Sequence, residues 1–369
     1  MLYEWLFPLK DTYSFCNLFR YITFRSIGAA ISAFLCALII GRFLLPLLVR
    51  LNFKENVHKS DSEKLKELHQ NKKNTPTMGG VLIVISIFIS TILWARWDVF
   101  YIKVALFSII SYSCIGFRDD WIKLTHATRS GLSARRKMLW LIANSSLIAF
   151  ALWYYHQSLE EHLILSLPFS KSWSMDLSIY GGIFYFGLVV LVLVSTTNAV
   201  NLTDGLDGLA TGTMIIASMA FSVFCYIAGH FQFANYLQVP FVAGAGELTV
   251  FCFSLIGAGL GFLWFNCYPA QVFMGDTGSL ALGGALGVVA ICTHQELALF
   301  IIGGVFVMEA LSVILQVFSF KVFKKRIFRI APIHHHFQFA GWSETKVTIR
   351  FWILSALLAM CSLATLKIR

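Results

Sequence analysis

Charge is sparse in this chain. Asp, Glu, Lys and Arg together make up 13% of its 369 residues while 57% are hydrophobic, which excludes an ordinary soluble domain. Mean hydropathy is +0.72. Paired cysteines are missing as well. The eight, at 16, 36, 114, 225, 252, 267, 292 and 361, form no Cys-x-x-Cys, which argues against a zinc knuckle or a disulfide framework. No alternating ten-residue segments suit a membrane β-barrel, and no internal repeat suits an inverted-repeat transporter. Residues 1–21 lack a compact apolar core before a small-residue cleavage site, so they do not read as a cleaved signal peptide.

What is present is a series of apolar runs near 20 residues, each long enough as helix to cross about 30 Å of hydrocarbon. We expect an all-α integral membrane protein, one polytopic domain over residues 1–369. About ten transmembrane helices are expected, at 22–49, 79–97, 99–117, 138–156, 180–198, 209–229, 248–266, 277–293, 297–320 and 347–366. Pro46 should bend the first, which should end before Arg50. The segment 163–179 carries two short alternating runs and is expected to form a small hairpin outside the membrane.

Loop charge orients the bundle. Of the 29 Lys and Arg residues, 19 fall in the alternate loops 50–78, 118–137, 199–208, 267–276 and 321–346, against 7 in the opposite segments. By the positive-inside rule these loops are cytoplasmic and both termini lie outside. The formal charge of +10 then reports loops facing anionic lipid, not nucleic acid.

The polar residues that the apolar runs do not explain all fall on that inner side. Residues 198–208 read Asn-Ala-Val-Asn-Leu-Thr-Asp-Gly-Leu-Asp-Gly, which sets Asp204 and Asp207 three apart, on one face if helical. A polar turn is the plain alternative. Asp119 and Asp120 end the third span. Asp276 lies in Met-Gly-Asp-Thr-Gly-Ser (274–279), where it could also cap a helix. His334, His335 and His336 follow Pro332-Ile333 in the last inner loop. Five aspartates at one membrane boundary repel unless a cation or ligand compensates, and oxygen donors without paired cysteines suit a hard ion, most simply Mg²⁺. Neighbours on a helix point about 100° apart, so Asp119 and Asp120 cannot both face one atom equally. Pairing with Arg118 and Lys123 is the structural alternative. Three adjacent histidines suit hydrogen bonding or proton transfer better than a shared metal. Lys72 and Lys73 beside Thr77, Gly79 and Gly80 suit phosphate, or are only a basic flank. Glu309 lies deep in the ninth span, as a paired carboxylate or a proton site.

Taken together, Thr-Pro-Thr-Met-Gly-Gly (75–80), Asp119-Asp120, the 198–208 stretch, Phe-Met-Gly-Asp-Thr-Gly-Ser (273–279) and Pro-Ile-His-His-His-Phe (332–337) resemble a known family. It is that of the phospho-N-acetylmuramoyl-pentapeptide transferases, within the polyprenyl-phosphate N-acetylhexosamine-1-phosphate transferases. Gln338 departs from the acidic residue expected after the histidines. The resemblance implies a Mg²⁺-dependent enzyme of the bacterial inner membrane, a homodimer of ten-helix chains working on the cytoplasmic face. It would move phospho-MurNAc-pentapeptide from UDP-MurNAc-pentapeptide to undecaprenyl phosphate, releasing UMP and forming lipid I, a step of peptidoglycan synthesis. It also implies that Asp119, Asp120, Asp276, His334 and His335 are catalytic, with Asp276, and less firmly Asp119, at the metal. Lys72, Thr77, Asn198, Asp204, Asp207, Asn266, Phe273 and His336 would bind substrate, with Phe273 suited to stacking on uracil. Direct attack by the lipid phosphate, positioned or deprotonated by Asp119, is one route, and a covalent enzyme intermediate is the rival. A sister enzyme using UDP-GlcNAc, or a transporter, are the alternative functions.

Overall fold

The computed structural model describes residues 1–51, 75–125, 131–159, 163–167 and 174–368. Its long helices are α1 (Ile22–Arg50), α2 (Gly80–Trp94), α3 (Phe100–Thr125), α4 (Ala134–Ser158), α5 (Ile183–Thr203), α6 (Leu209–Ala228), α7 (Leu248–Asn266), α8 (Gly275–Cys292) and α9 (Gly304–Phe323). A short α10 (Ile333–Phe339) precedes the last, α11 (Glu344–Ile368). Among the described residues nine helices are long and apolar enough to cross a membrane, and α2, at 15 residues, is a shorter apolar one.

The helices do not end where hydropathy does. α3 runs eight residues beyond the expected 99–117, so Asp119 and Asp120 lie within a helix and not in a loop. Hydropathy marks the extent of an apolar environment. A helix continues as long as its residues tolerate it, and Asp119 and Lys123, four apart and 2.7 Å from each other, support the extra turns. α1 passes through Pro46 to Arg50 instead of stopping short of it. The ninth run is not one helix. A four-residue turn, Leu299–Ile302, and Gly303 precede α9.

α8 is the axis of the bundle, with all but the first of its residues buried. Gly, Ala, Ser and Thr fill much of its length, which lets α3 and α5 pack directly on it. α1 packs on α7, and α6 on α7 and α11. On α1, Ile27, Ile31, Leu35, Ile39 and Phe43 are exposed at four-residue spacing, an apolar stripe that suits a hydrocarbon surround. Strands β1 (Ile164–Ser166) and β2 (Ser174–Asp176) pair antiparallel, Leu165 opposite Met175.

Direction matters for the site. α3 ends and α8 begins at the same end of the bundle, because helices alternate in direction between them. The backbone seals this end: Gly79 N donates to Phe273 O and Phe273 N to Pro76 O, both at 2.8 Å, so residues 76–80 run beside the turn that opens α8.

Candidate active site

Close helix contact brings the carboxylates together. Gly116, one turn before Asp120, lies so near α8 that a Cβ there would sit 2.1 Å from Asp276 O. Any side chain would push α3 away. With glycine in place, Asp119, Asp120 and Asp276 are all buried and offer oxygens within 4.8 Å of one another.

Their hydrogen bonds divide the work. Asp120 turns to the start of α8 and accepts from Asp276 N at 3.2 Å, Thr277 N at 2.9 Å and Thr277 Oγ1 at 2.7 Å. It satisfies amides that a helix start leaves open, the capping role that sequence offered to Asp276 instead. Asp119 accepts from Leu132 N at 2.6 Å. Asp276 is at the centre of the polar contacts. Its Oδ2 meets Lys123 Nζ and Lys137 Nζ, each at 2.8 Å, and its Oδ1 accepts from Asn201 Nδ2 at 2.7 Å. Lys123 also reaches Asp119 at 2.7 Å and Asp120 at 3.8 Å, and Lys137 reaches Asp119 at 3.9 Å. Among the described residues three carboxylates therefore face two ammonium groups, a formal excess of one negative charge in a buried place. An all-oxygen acceptor set with surplus negative charge fits a hard divalent cation.

Lys137 and Asn201 were not singled out from sequence. Lys137 looked like one more basic residue of a loop, but it stands one turn into α4. Asn201 lies in the polar 198–208 stretch three residues after Asn198, so i,i+3 spacing was the available signal. Asn198 itself donates to Val194 O at 2.7 Å.

A second group forms around the histidines. His334 is buried, its Nδ1 3.0 Å from Glu309 Oε2. Its Nε2 points at the 204–207 turn, where a Cβ on Gly205 would lie 2.3 Å away. His335 Nδ1 is 2.8 Å from Gln338 Oε1, and His336 Nδ1 accepts from Arg329 N at 3.1 Å. The 204–207 turn is clamped from both sides. Asp207 Oδ2 accepts from Ala270 N at 3.0 Å, and Asp207 N donates to Glu344 at 2.8 Å. The end of α5 thus carries Asn201 to the carboxylates and Gly205 to His334.

The remaining expected residues sort by what they touch. Thr77 lies beside the carboxylates, since a Cβ on Gly275 would meet Thr77 Oγ1 at 3.1 Å and Asp120 Oδ2 at 2.8 Å. Phe273 is half-buried on the turn before α8. Asn266 is buried and uses its amide within the chain, accepting from Gly208 N and Thr211 Oγ1 at 3.1 Å and donating to Val272 O at 2.9 Å. Lys72 falls outside the described residues.

Long apolar helices with acidic, basic and histidine side chains gathered at one end define a polytopic membrane protein with a candidate active site. The profile of glycosyl transferase family 4 matches residues 101–294, from the start of α3 to just past α8, and so takes in both carboxylate helices. A phospho-N-acetylmuramoyl-pentapeptide-transferase signature matches residues 72–84. Relatives with that transferase name align over the full length of both chains. Those of Desulfotalea psychrophila, Syntrophus aciditrophicus and Citrifermentans bemidjiense are 50%, 48% and 48% identical. The chain belongs to the phospho-N-acetylmuramoyl-pentapeptide transferase family.

Proposed function

We propose that this enzyme transfers phospho-MurNAc-pentapeptide from UDP-MurNAc-pentapeptide to undecaprenyl phosphate, releasing UMP and forming lipid I. It does so as a multi-pass protein of the bacterial inner membrane, its site facing the cytoplasm, in a homodimer. The observation that carries the chemistry is the buried trio Asp119, Asp120 and Asp276 facing Lys123 and Lys137 with one negative charge in excess. Phosphoryl transfer asks a protein for position and charge neutralisation more than for covalent chemistry, and this end of the bundle supplies both.

Asp276 and Asp119 would hold the metal, Mg²⁺, which when bound supplies positive charge to the diphosphate oxygens. Asp120 acts one step back. By capping α8 it fixes the backbone that carries Asp276. Asn201 orients the Asp276 carboxylate, and Lys123 and Lys137 offer cations to phosphate as well as to the carboxylates. Thr77 and Phe273, with Lys72, bind the nucleotide end, Phe273 by stacking. Asp204, Asp207, Asn198 and His336 bind substrate beside them, and Asn266 supports that end by tying residue 208 to residue 272. His334 and His335 complete the catalytic set. In the one-step route Asp119 positions the lipid phosphate for attack on the β-phosphorus.

The test is UMP release by purified protein in detergent. Release should require both undecaprenyl phosphate and Mg²⁺ and should vanish in Asp276→Ala. One equivalent of UMP per site from UDP-MurNAc-pentapeptide alone would replace the one-step route with a covalent intermediate. Preference for UDP-GlcNAc would reassign the substrate.

A further inference from the structure

The roles above leave a fully buried carboxylate of α9 without a task. Glu309, in the second turn of α9, is 0% exposed. Among the described residues its Oε1 has no hydrogen-bond partner. A buried carboxylate oxygen left unmatched works against stability, so packing alone does not account for an acid here. Its other oxygen is engaged with a single residue. Oε2 lies 3.0 Å from His334 Nδ1 and 3.5 Å from His334 N. With Glu309 ionised, Oε2 can only accept, so it takes hydrogen bonds from His334 N and from a protonated Nδ1. The opposite ring nitrogen is then bare. His334 Nε2 is itself buried without a partner among the described residues, and it faces the 204–207 turn where only glycine leaves it room.

We infer that Glu309 is a positioning residue that fixes His334 in the Nδ1-protonated tautomer, so that Nε2 is presented as an acceptor toward the 204–207 turn. The inference rests on the reading of His334 as part of the catalytic set. A histidine ring has two nitrogens, and the hydrogen bond made by one decides what the other can do. His335 makes the contrast. Its Nδ1 meets the neutral amide of Gln338 at 2.8 Å, where His334 has a carboxylate. A charge-assisted bond is the stronger of the two, so His334 is held more firmly than its neighbour. The fold explains how Glu309 reaches it. The chain after α9 turns back along that helix, with Phe328 N donating to Gln316 Oε1 at 2.9 Å, and lays α10 beside the second turn of α9. The group expected from sequence to be deep in a span is thus a partner of the histidine helix.

The experiment uses full-length protein labelled with ¹⁵N-histidine in nanodiscs. The His334 ring signal is assigned by its loss in His334→Gln. Its two ring nitrogens should report a protonated Nδ1 and a bare Nε2. Glu309→Gln, which keeps the shape but can donate to Nδ1, should yield mixed tautomers. It should lower kcat for UMP release roughly 100-fold, with KM for the nucleotide sugar changed less than about twofold. Glu309→Asp keeps the charge and should recover part of kcat, and it reads the same quantity should the glutamine variant purify poorly. Three results overturn the inference: a protonated Nε2 in the unsubstituted protein, an unchanged tautomer in Glu309→Gln, or an unchanged kcat there beside lost kcat in His334→Gln. Full kcat in His334→Gln would instead remove the catalytic reading on which it rests.

Discussion

Two buried charge clusters lie at opposite ends of the same bundle, and they are built on different rules. Near the start of α1, Arg25 meets Glu247 with both terminal guanidinium nitrogens, each at 2.6 Å from one carboxylate oxygen. Arg25 also donates to Trp94 O, and Arg96 N donates to Glu247, both at 3.2 Å. One cation answers one anion in a fork-to-fork fit. About 30 Å along α3, at a rise of 1.5 Å per residue, Asp119, Asp120 and Asp276 face two lysines among the described residues. The first cluster is matched in charge and ties α1 to the residue that precedes α7. The second is one charge short of balance among the described residues, an excess that a bound cation or a shared proton relieves.

The largest expected effect tests that difference directly. Asp276→Asn removes the surplus charge and leaves two carboxylates against two lysines. UMP release should fall by about 10³-fold or more, while the thermal midpoint stays level or rises, because like-charge repulsion is relieved. A large fall in the midpoint would mean that the carboxylate cluster is a structural pair like Arg25–Glu247, and the comparison would break.

The matched cluster should respond the other way round. Arg25→Ala strands Glu247 in a buried place and should lower stability by about 3–5 kcal/mol, with activity per folded molecule retained. The double change Arg25→Met with Glu247→Leu should restore most of that stability, since apolar residues of similar volume replace a buried pair at little loss. Thermal denaturation beside UMP release per folded molecule separates the two outcomes. No apolar replacement of Asp276 should restore activity.

The sequence disclosed one of these clusters and hid the other. Asp119, Asp120 and Asp276 stand out because acidic residues beside apolar runs are rare, and span counting puts the end of α3 and the start of α8 together. Arg25 and Glu247 sat at the edges of expected spans 222 residues apart, and no local pattern pairs them. Lys137 was masked by its basic neighbours Arg135 and Arg136. Asp120's bonds to Thr277 needed the contact between α3 and α8 that Gly116 permits, which is a packing fact and not a spacing. Glu309 was visible as an anomaly, but its partner depended on the chain turning back after α9. What periodicity and charge can carry was legible, while anything set by how two helices touch was not.

Two buried titratable groups that are held uncharged lie between α8 and α9, in neither cluster. His294 and Glu296 are buried, and His294 lies near His156 of α4, ring centres 5.7 Å apart. Burial holds the His294 imidazole down to about 4, helped by His156, and pushes the Glu296 carboxyl up to about 8, a backbone hydrogen bond opposing. The signs are opposite. Glu296, raised above its ordinary value of 4.5, contributes stability that is full below pH 4.5 and lost as pH rises through about 8. His294, lowered from 6.5, contributes stability that is present above pH 6.5 and lost as pH falls through about 4. Between 4.5 and 6.5 the two slopes offset, and above 6.5 only the glutamate acts. Stability should therefore fall by about 2 kcal/mol from pH 6.5 to 8, at about 1.4 kcal/mol per pH unit. Thermal midpoints across that range should show the fall in the unsubstituted protein and lose it in Glu296→Gln. A flat profile in both would show that water reaches Glu296 and that burial does not hold its carboxyl neutral.

The smallest effect sharpens the comparison by moving a matched pair to the surface. Arg96 and Asp98, close to the buried Arg25–Glu247 cluster, also pair through two hydrogen bonds, one from Arg96 Nε to Asp98 Oδ1 at 3.1 Å and one from Nη2 to Oδ2. The Arg96 guanidinium beside Asp98 holds that carboxyl below its ordinary value of 3.8. The side chains are 37% and 58% exposed, so water screens the pair and competes for each hydrogen bond. Asp98→Asn should change stability by less than about 1 kcal/mol, and less still in high salt. Arg25→Ala, which also breaks a two-bond pair, should lose several times more. If the two substitutions proved equally mild, water would have access to Arg25 and Glu247, and burial would no longer explain why one end of the bundle tolerates only a matched pair. If they differ as expected, the geometry of a pair counts for little without its surroundings, and the unmatched carboxylates at the other end must be read by the same standard: a buried excess of charge is held in place for a ligand.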